Sequence, residues 1–417
     1  VVEHSSDMVS HSKYLWHQHH LPQMDLQALY EAHCHWSQLY ASVSRARQVH
    51  ERDRCPVRPL RIGYISGDFC SHSVAYFFEG LLEGHRQETV ATWGYGNCPH
   101  QDMVTDRLKA KLDHYRNICG VSDEQVIEWI EEDQIDILVD LSGHTGENRL
   151  GVLACKPAPI QVSYLGYPDT TGMSQIDYRF TDQWADEPTA QRYYTEKLIY
   201  LDSGFICYRP PEFAPAVQPL PALSQGAVTF GSFNNSLKIN AKVIRMWAKI
   251  LQAVPTAQLL LKFGGGDDER VRAVYLNQFR TLGISEDRIH TIGRLPIVEH
   301  LDLYNQVDIA LDSFPYHGTT TTCEALWMGV PTISLIGQHH VSRVGLSLLS
   351  RVGLEVFAAS TEQEYIDKAV SFARQTDHLS MLRKGLRARM WHSPLCDKQA
   401  YAQCVEKAYQ RMWQHRC

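Results

Sequence analysis

At 417 residues with 44% hydrophobic content, the chain is long enough for two domains, or two lobes of one enzyme, each with its own core. A formal net charge of -7 argues against binding nucleic acid through a basic surface. No apolar run approaches the ~18–20 residues that a membrane span needs. Eleven cysteines are scattered without C-x-x-C pairs and the His-rich start lacks a signal-peptide core, so reduced thiols and a cytoplasmic setting are expected.

In chain order, residues 1–20 read as a flexible or partly helical lead. His17, His19 and His20 invite a metal reading. A metal needs a third and fourth ligand, so a solvated tail is the expectation and no metal is assigned. Leu26, Leu29, Tyr30, His33, Trp36, Leu39 and Tyr40 recur at helical spacing, which predicts an amphipathic helix with one face to dock. Pro56 and Pro59 mark a linker, so residues 1–55 form an N-terminal helical segment.

Leu60–Ser66 is the first predicted strand, and Gly67 to His72 form the loop leaving its C-terminal end. Open α/β sheets gather ligands at such loops. His72 is therefore placed for chemistry, with helix capping as the plain alternative. Predicted strands over 90–95, 135–141, 160–165 and 177–181, with a helix over 123–133 capped by Ser122, alternate as a Rossmann-like lobe spanning 56–210. The exit of the strand over 135–141 carries His144, and Asp136 lies near that strand's start.

The proline-rich stretch 208–225 marks the lobe boundary. A second lobe over 226–395 is predicted from strands at 228–233, 259–263, 288–292, 307–312 and 331–335. Helices are predicted between them at 241–252, 269–281 and 300–307, with another at 343–350. Gly264-Gly-Gly266 tempts a phosphate-loop reading, but no G-K-[ST] follows, so a flexible turn is expected. The absence of G-x-G-x-x-G counts against a dehydrogenase. Residues 396–417 form a C-terminal helix.

The stretch the chain is organised around runs from Asp312 to Pro331. A buried parallel strand gives way to a turn at Pro315 and Gly318, four threonines follow, and a helix is predicted from Cys323. Strand, glycine turn, hydroxyl run and helix build an anion site, because free backbone N–H groups and the helix dipole point at the turn. A single threonine cap would be the ordinary alternative. Glu324 falls one turn into the helix, where a carboxylate reaches a ribose hydroxyl or complements the dipole. No Asp-x-Asp occurs anywhere, so the charge of a diphosphate must be met by backbone donors, Thr319 to Thr322 and a cation. Lys238, leaving the second lobe's first strand, is that cation, with an ordinary surface lysine as the alternative.

The stretch 312–331 resembles the nucleotide-sugar site of the O-GlcNAc transferase/SPINDLY family of protein glycosyltransferases. So do Leu60 to Ser73, Ile135 to Thr145, Pro157 to Gln161 with Leu165 to Pro168, Phe230 to Ile239, and Ser342 to Gly345. The resemblance implies an α/β fold of the GT-B type, two Rossmann-like lobes facing a cleft, with the C-terminal helix bracing the first lobe. It implies inverting, metal-independent transfer, without a cofactor, from a nucleotide sugar to a protein hydroxyl, UDP-GlcNAc being the first choice of donor. GDP-fucose and UDP-glucose are the alternatives, and a degenerate nucleotide-sugar-binding module or a small-molecule or lipid glycosyltransferase are the rivals. The residues implied are His72 as base or sugar-diphosphate contact, Lys238 and Asn235 at the diphosphate, and His300 near the nucleotide base. Gly318, Thr319, Thr320, Thr321 and Glu324 complete the donor site. Asp136, His144, Tyr316 and Arg343 are candidate sugar or acceptor contacts. Where one branch of the family has lysine and arginine beside His300, this chain has Ile297 and Leu303. The family's tetratricopeptide array implies protein partners and makes the N-terminal segment a remnant of such an array or a linker.

Overall fold

A computed structural model describes residues 7–41 and 58–416; Pro56 of the expected linker lies outside them. The described chain divides into two units. The first contains 7–19, 23–41, 58–209 and 397–416, the second 20–22 and 210–396.

In the first unit, β1 (Leu60–Ser66), β2 (Val90–Gly96), β3 (His114–Asn117), β4 (Ile137–Asp140), β5 (Ile160–Ser163), β6 (Tyr178–Thr181) and β7 (Lys197–Tyr200) form one sheet. Its order is β3-β2-β1-β4-β5-β6-β7, and every pairing is parallel. The central strands β4 and β5 are buried at every residue, as a sheet covered on both faces requires. One apolar cluster packs Tyr64, Val139 and Val162 against Phe78 of helix Ser73–Gly84 and against Tyr401, Val405 and Tyr409 of helix Lys398–Arg416. Another packs Ile65, Leu138 and Ile130 with Leu15 and Trp36 of the two N-terminal helices.

Those helices correct the expectation of a solvated lead. Helix Met8–Gln18 is capped by Asp7, whose carboxylate accepts from the Val9 and Ser10 amides at 3.2 and 3.1 Å. Helix Leu26–Tyr40 buries Trp36, whose indole N–H donates to the Met8 carbonyl at 3.3 Å. His19 is fully buried, so the described part of the lead packs into the core.

In the second unit, β8 (Thr229–Ser232), β9 (Gln258–Lys262), β10 (Ile289–Ile292), β11 (Ile309–Leu311), β12 (Thr332–Leu335) and β13 (Ala358–Ala359) form a sheet of order β10-β9-β8-β11-β12-β13, again all parallel. The strand order reverses between β8 and β11, which is where open parallel sheets bind ligands. Buried Arg383 of helix Thr376–Trp391 donates to the carbonyls of Gln218, Val307 and Tyr304 at 2.8, 2.7 and 3.2 Å. It ties the proline-rich stretch to the strand entering the site. The helix expected from Cys323 begins a turn earlier, as Thr320–Trp327. The helix expected over 300–307 starts at Ile297 and tightens into a 3-10 turn, Leu303–Gln306. Among the described residues no helix is long and apolar enough to cross a membrane.

Candidate active site

Two loops leave the β8/β11 reversal, and asparagines tie them together. Asn234 is buried. Its side-chain carbonyl accepts from the Thr321 hydroxyl at 3.0 Å, and its amide donates to Ser232 Oγ at 3.3 Å. Asn240 donates to the Phe314 carbonyl at 2.7 Å while its Oδ1 caps helix Ala241–Ala253. Asn235, the residue expected at the diphosphate, is exposed and caps the 3-10 turn Ser236–Lys238 by accepting from the Leu237 amide at 3.0 Å. That turn aims Lys238 back at the second loop. Its ammonium donates to the His317 carbonyl at 2.7 Å and sits 4.0 Å from the centre of the Tyr316 ring. Burial lowers its pKa to about 8, partly opposed by the Asp312 carboxylate.

Asp312 organises the turn. Its Oδ1 accepts from the Gly318 and Ser313 amides at 2.8 and 2.9 Å, and its Oδ2 from Ser334 Oγ at 2.7 Å. His317 beside it is neutral. The Gly345 amide donates to Nδ1 at 3.0 Å, so the ring proton lies on Nε2, which donates to the Leu335 carbonyl at 2.8 Å. The 3.6 Å approach of Asp312 to Nδ1 is therefore not an ion pair, in keeping with a His317 pKa lowered by burial.

The four threonines divide by role. Thr321 bonds Asn234, and Thr322 Oγ1 donates back to the Gly318 carbonyl at 3.0 Å. The hydroxyls of Thr319 and Thr320, both half-buried, make no hydrogen bond among the described residues, and no side chain caps the helix they open. First-turn amides, the hydroxyls of Thr319 and Thr320 and the Lys238 ammonium held on the His317 carbonyl thus belong to one turn, and they are donors of the kind an anion requires. Gly318 is needed because a Cβ there would lie 2.3 Å from Thr321 Oγ1 and 2.9 Å from Asn234 Oδ1. Gly318→Ala is expected to weaken nucleotide affinity at least tenfold by displacing both; unchanged affinity in calorimetry would remove this close packing from the site.

His300 and Glu324 meet in the same unit, Nε2 to Oε2 at 2.9 Å, both buried. The Phe233 and Tyr304 rings flank His300 at 5.8 and 5.6 Å, and the Tyr304 hydroxyl donates to the Thr321 carbonyl at 3.0 Å. Glu324 is thus held by His300, with Oε1 unbonded among the described residues. Arg343 donates to the Gly337 carbonyl at 3.1 Å.

In the first unit, His72 caps helix Ser73–Gly84, with Nδ1 3.4 Å from the Val74 amide and 3.4 Å from Asp68 Oδ1. The plain alternative, helix capping, is what the structure shows; its Nε2 makes no hydrogen bond among the described residues, and the side chain is 47% exposed. Asp68, given no role on sequence grounds, has its carboxyl pKa raised by burial, an effect His72 only partly offsets.

Two expected contacts are corrected. Asp136 precedes β4, at the end of the strand opposite the loops, and is fully buried. It accepts from Arg58 at 2.7 and 3.0 Å and from the Arg61 amide at 2.8 Å, so its work is structural. His144 is also interior. Its Nδ1 pairs with Ser12 Oγ at 3.0 Å and its Nε2 with the Thr171 carbonyl at 2.9 Å, and burial drops its pKa to about 3. Sequence reasoning missed Asn234, Asn240, Asp312 and His317. Only the density of short polar residues around the two strand exits signals them.

The family model described as glycosyl transferase family 41 matches residues 17–209 and 218–405. A tomato protein, probable UDP-N-acetylglucosamine--peptide N-acetylglucosaminyltransferase SPINDLY, is 42% identical over 93% of this chain and 42% of its own length. The Arabidopsis thaliana protein of the same description named SEC is 31% identical over 86% of this chain and 37% of its own. The chain therefore spans about two fifths of the length of these curated relatives. A solved structure of a Thermobaculum terrenum O-GlcNAc transferase mutant superposes with a TM-score of 0.95 at 35% identity, covering 99% of this chain and 78% of that one. Anabaena HepE with UDP and glucose shares the fold at a TM-score of 0.55 and 12% identity, over 84% of this chain and all of that one. Two parallel-sheet α/β lobes of the GT-B type and a family match across both of them make this chain a member of glycosyl transferase family 41.

Proposed function

We propose that the chain carries the catalytic region of an inverting, metal-independent protein O-glycosyltransferase that moves GlcNAc from UDP-GlcNAc to serine or threonine hydroxyls. The observation that carries this reading is the uncapped helix Thr320–Trp327 with the Lys238 ammonium at its mouth, at the strand-order reversal of the second sheet. The names of the relatives, which give UDP-N-acetylglucosamine and peptide, support the choice of donor and acceptor class. In this proposal the first-turn amides, Thr319, Thr320 and Lys238 stabilise the leaving diphosphate, a task other enzymes give to a metal held by Asp-x-Asp. His72 Nε2 takes the acceptor proton in the tautomer whose Nδ1–H turns from the Val74 amide to donate to the Asp68 carboxylate, which then faces the imidazolium that forms.

A second donor, GDP-fucose, is favoured by one feature. Ile297 and Leu303 flank His300 with apolar side chains, Leu303 being buried, so the cationic flank found in one branch of the family is missing. Thermal denaturation with UDP, UDP-GlcNAc, GDP and GDP-fucose separates the readings. A ligand at ~100 times its dissociation constant adds ~2.7 kcal/mol and raises Tm visibly. A shift with the uridine pair, without added divalent cation, is the expected result. A shift with the guanosine pair alone assigns the donor to GDP-fucose. No shift with any of the four, or one that needs Mg2+ or Mn2+, overturns the proposal.

A further inference from the structure

We propose that the first unit holds a structural zinc ion at His19, His33, Asp169 and Tyr167, which clamps both N-terminal helices to the loop after β5. A ligand atom from each of His19, His33 and Asp169 lies within 4.8 Å of the others, and all three residues are buried. Tyr167, also buried, places its Oη 3.0 Å from His19 Nε2 and 2.7 Å from His33 Nε2. Asp169 Oδ2 lies 3.6 Å from His19 Nε2. Tetrahedral zinc with bonds of ~2.0–2.1 Å requires ligand atoms about 3.3 Å apart, so 2.7, 3.0 and 3.6 Å bracket the required edge. Two imidazoles and oxygen ligands suit zinc better than calcium or magnesium, which take oxygen alone.

The imidazole of His33 is already oriented as a ligand. Its Nδ1 lies 2.7 Å from the Leu29 carbonyl, which can only accept, so the proton is on Nδ1 and the Nε2 lone pair faces inward. In the metal-free state the Tyr167 hydroxyl then donates to His33 Nε2 and accepts from His19 Nε2–H. On zinc binding the His19 proton moves to Nδ1 and the Tyr167 hydroxyl proton leaves to solvent. Tyr167 phenolate and Asp169 carboxylate then balance the charge of Zn2+, leaving a buried site without net charge. His144 is not a fifth ligand, because both its ring nitrogens are engaged by Ser12 and the Thr171 carbonyl. The sequence argument against metal was the lack of a third and fourth ligand beside His19; residues 33, 167 and 169 supply them from elsewhere in the chain.

The test is elemental analysis and melting of the full chain, with zinc as the probe. Expected are about one zinc per chain after equilibration with the ion, a lower Tm after chelation, and recovery on adding one equivalent back. His33→Gln and Asp169→Asn should each lose zinc and the zinc-dependent part of Tm. Tyr167→Phe keeps three ligands, so it should bind zinc more weakly and still gain Tm from it. Wild-type protein that takes up no zinc and melts at the same temperature with and without it overturns the proposal, and that outcome needs no variant to fold. Zinc retained at the wild-type level by both His33→Gln and Asp169→Asn also overturns it, by placing the metal elsewhere.

Discussion

Lys238→Ala should lower kcat by about 10²–10³, equivalent to ~3–4 kcal/mol of transition-state stabilisation, while the protein stays folded. The size follows from where the ammonium sits. It is held by the His317 carbonyl at 2.7 Å and the Tyr316 ring at 4.0 Å, half-buried, at the mouth of a helix with no side-chain cap. In such a place a charge acts with less screening than at the surface. The fold tolerates the change because one of Lys238's partners is a backbone carbonyl and the other a ring face.

The burial that makes this lysine effective also sets a pH limit. With its pKa near 8, the cation predominates at pH 7 and is lost as pH rises through 8. Nucleotide affinity of the wild type should therefore fall between about pH 8 and pH 10. A bound diphosphate moves that fall upward, since an adjacent anion favours the charged form. Lys238→Arg keeps its charge throughout and should show no such fall, even though its planar fork fits the site less well. Rate constants, nucleotide titrations and melting curves of the three proteins decide the matter. A folded Lys238→Ala protein turning over at the wild-type rate would remove Lys238 from the mechanism.

Much of this was legible in sequence because buried parallel strands are continuous apolar runs. Leu60–Ser66 is found at the bounds its composition predicts, and β4 and β12 lie inside longer apolar stretches. Three strands were missed. β3, His-Tyr-Arg-Asn, is a polar edge strand, β13 is two alanines whose register among the described residues is with β12, and β7, Lys-Leu-Ile-Tyr, is an edge strand whose apolar run is too short to stand out. The threonine run suggested an anion site and gave no hint of its division of labour. Which hydroxyls brace the loop depends on Asn234, 87 residues away in sequence. Asn235 and Asn234 are indistinguishable by composition; only the turn through Ser236–Lys238 decides which faces the helix. Asp136 and His144 misled for a related reason. A polar residue beside a strand suggests a ligand contact, whereas both are bonded inward, to Arg58 and to Ser12. His19 drew a metal reading, but its partners did not, because residues 33, 167 and 169 meet it only in three dimensions.

Asp312→Ala should have the largest effect on stability, about 3–5 kcal/mol, and should abolish nucleotide binding as well. One fully buried carboxylate holds the Gly318 amide, the Ser313 amide and the Ser334 hydroxyl. Alanine leaves three buried donors without an acceptor, each costing ~1–3 kcal/mol, partly offset because a buried charge is no longer desolvated. Against a typical domain stability of ~5–15 kcal/mol, a loss of that size brings the second unit close to unfolding at moderate temperature. Asp312→Asn separates fold from function. Its carbonyl still accepts from the two amides, and the Ser334 hydroxyl reverses to accept from the new amide. Stability should then fall by about 1–2 kcal/mol, as expected for neutral in place of charge-assisted hydrogen bonds. The loss of negative charge also removes what opposes the burial of Lys238, whose pKa then falls below its value of about 8, so nucleotide affinity at pH 8 falls more than at pH 6.5. Denaturant midpoints paired with nucleotide titrations at the two pH values read both effects. Wild-type stability in Asp312→Ala, or an Asp312→Asn affinity loss that ignores pH, would mean that the turn is organised by something other than this carboxylate.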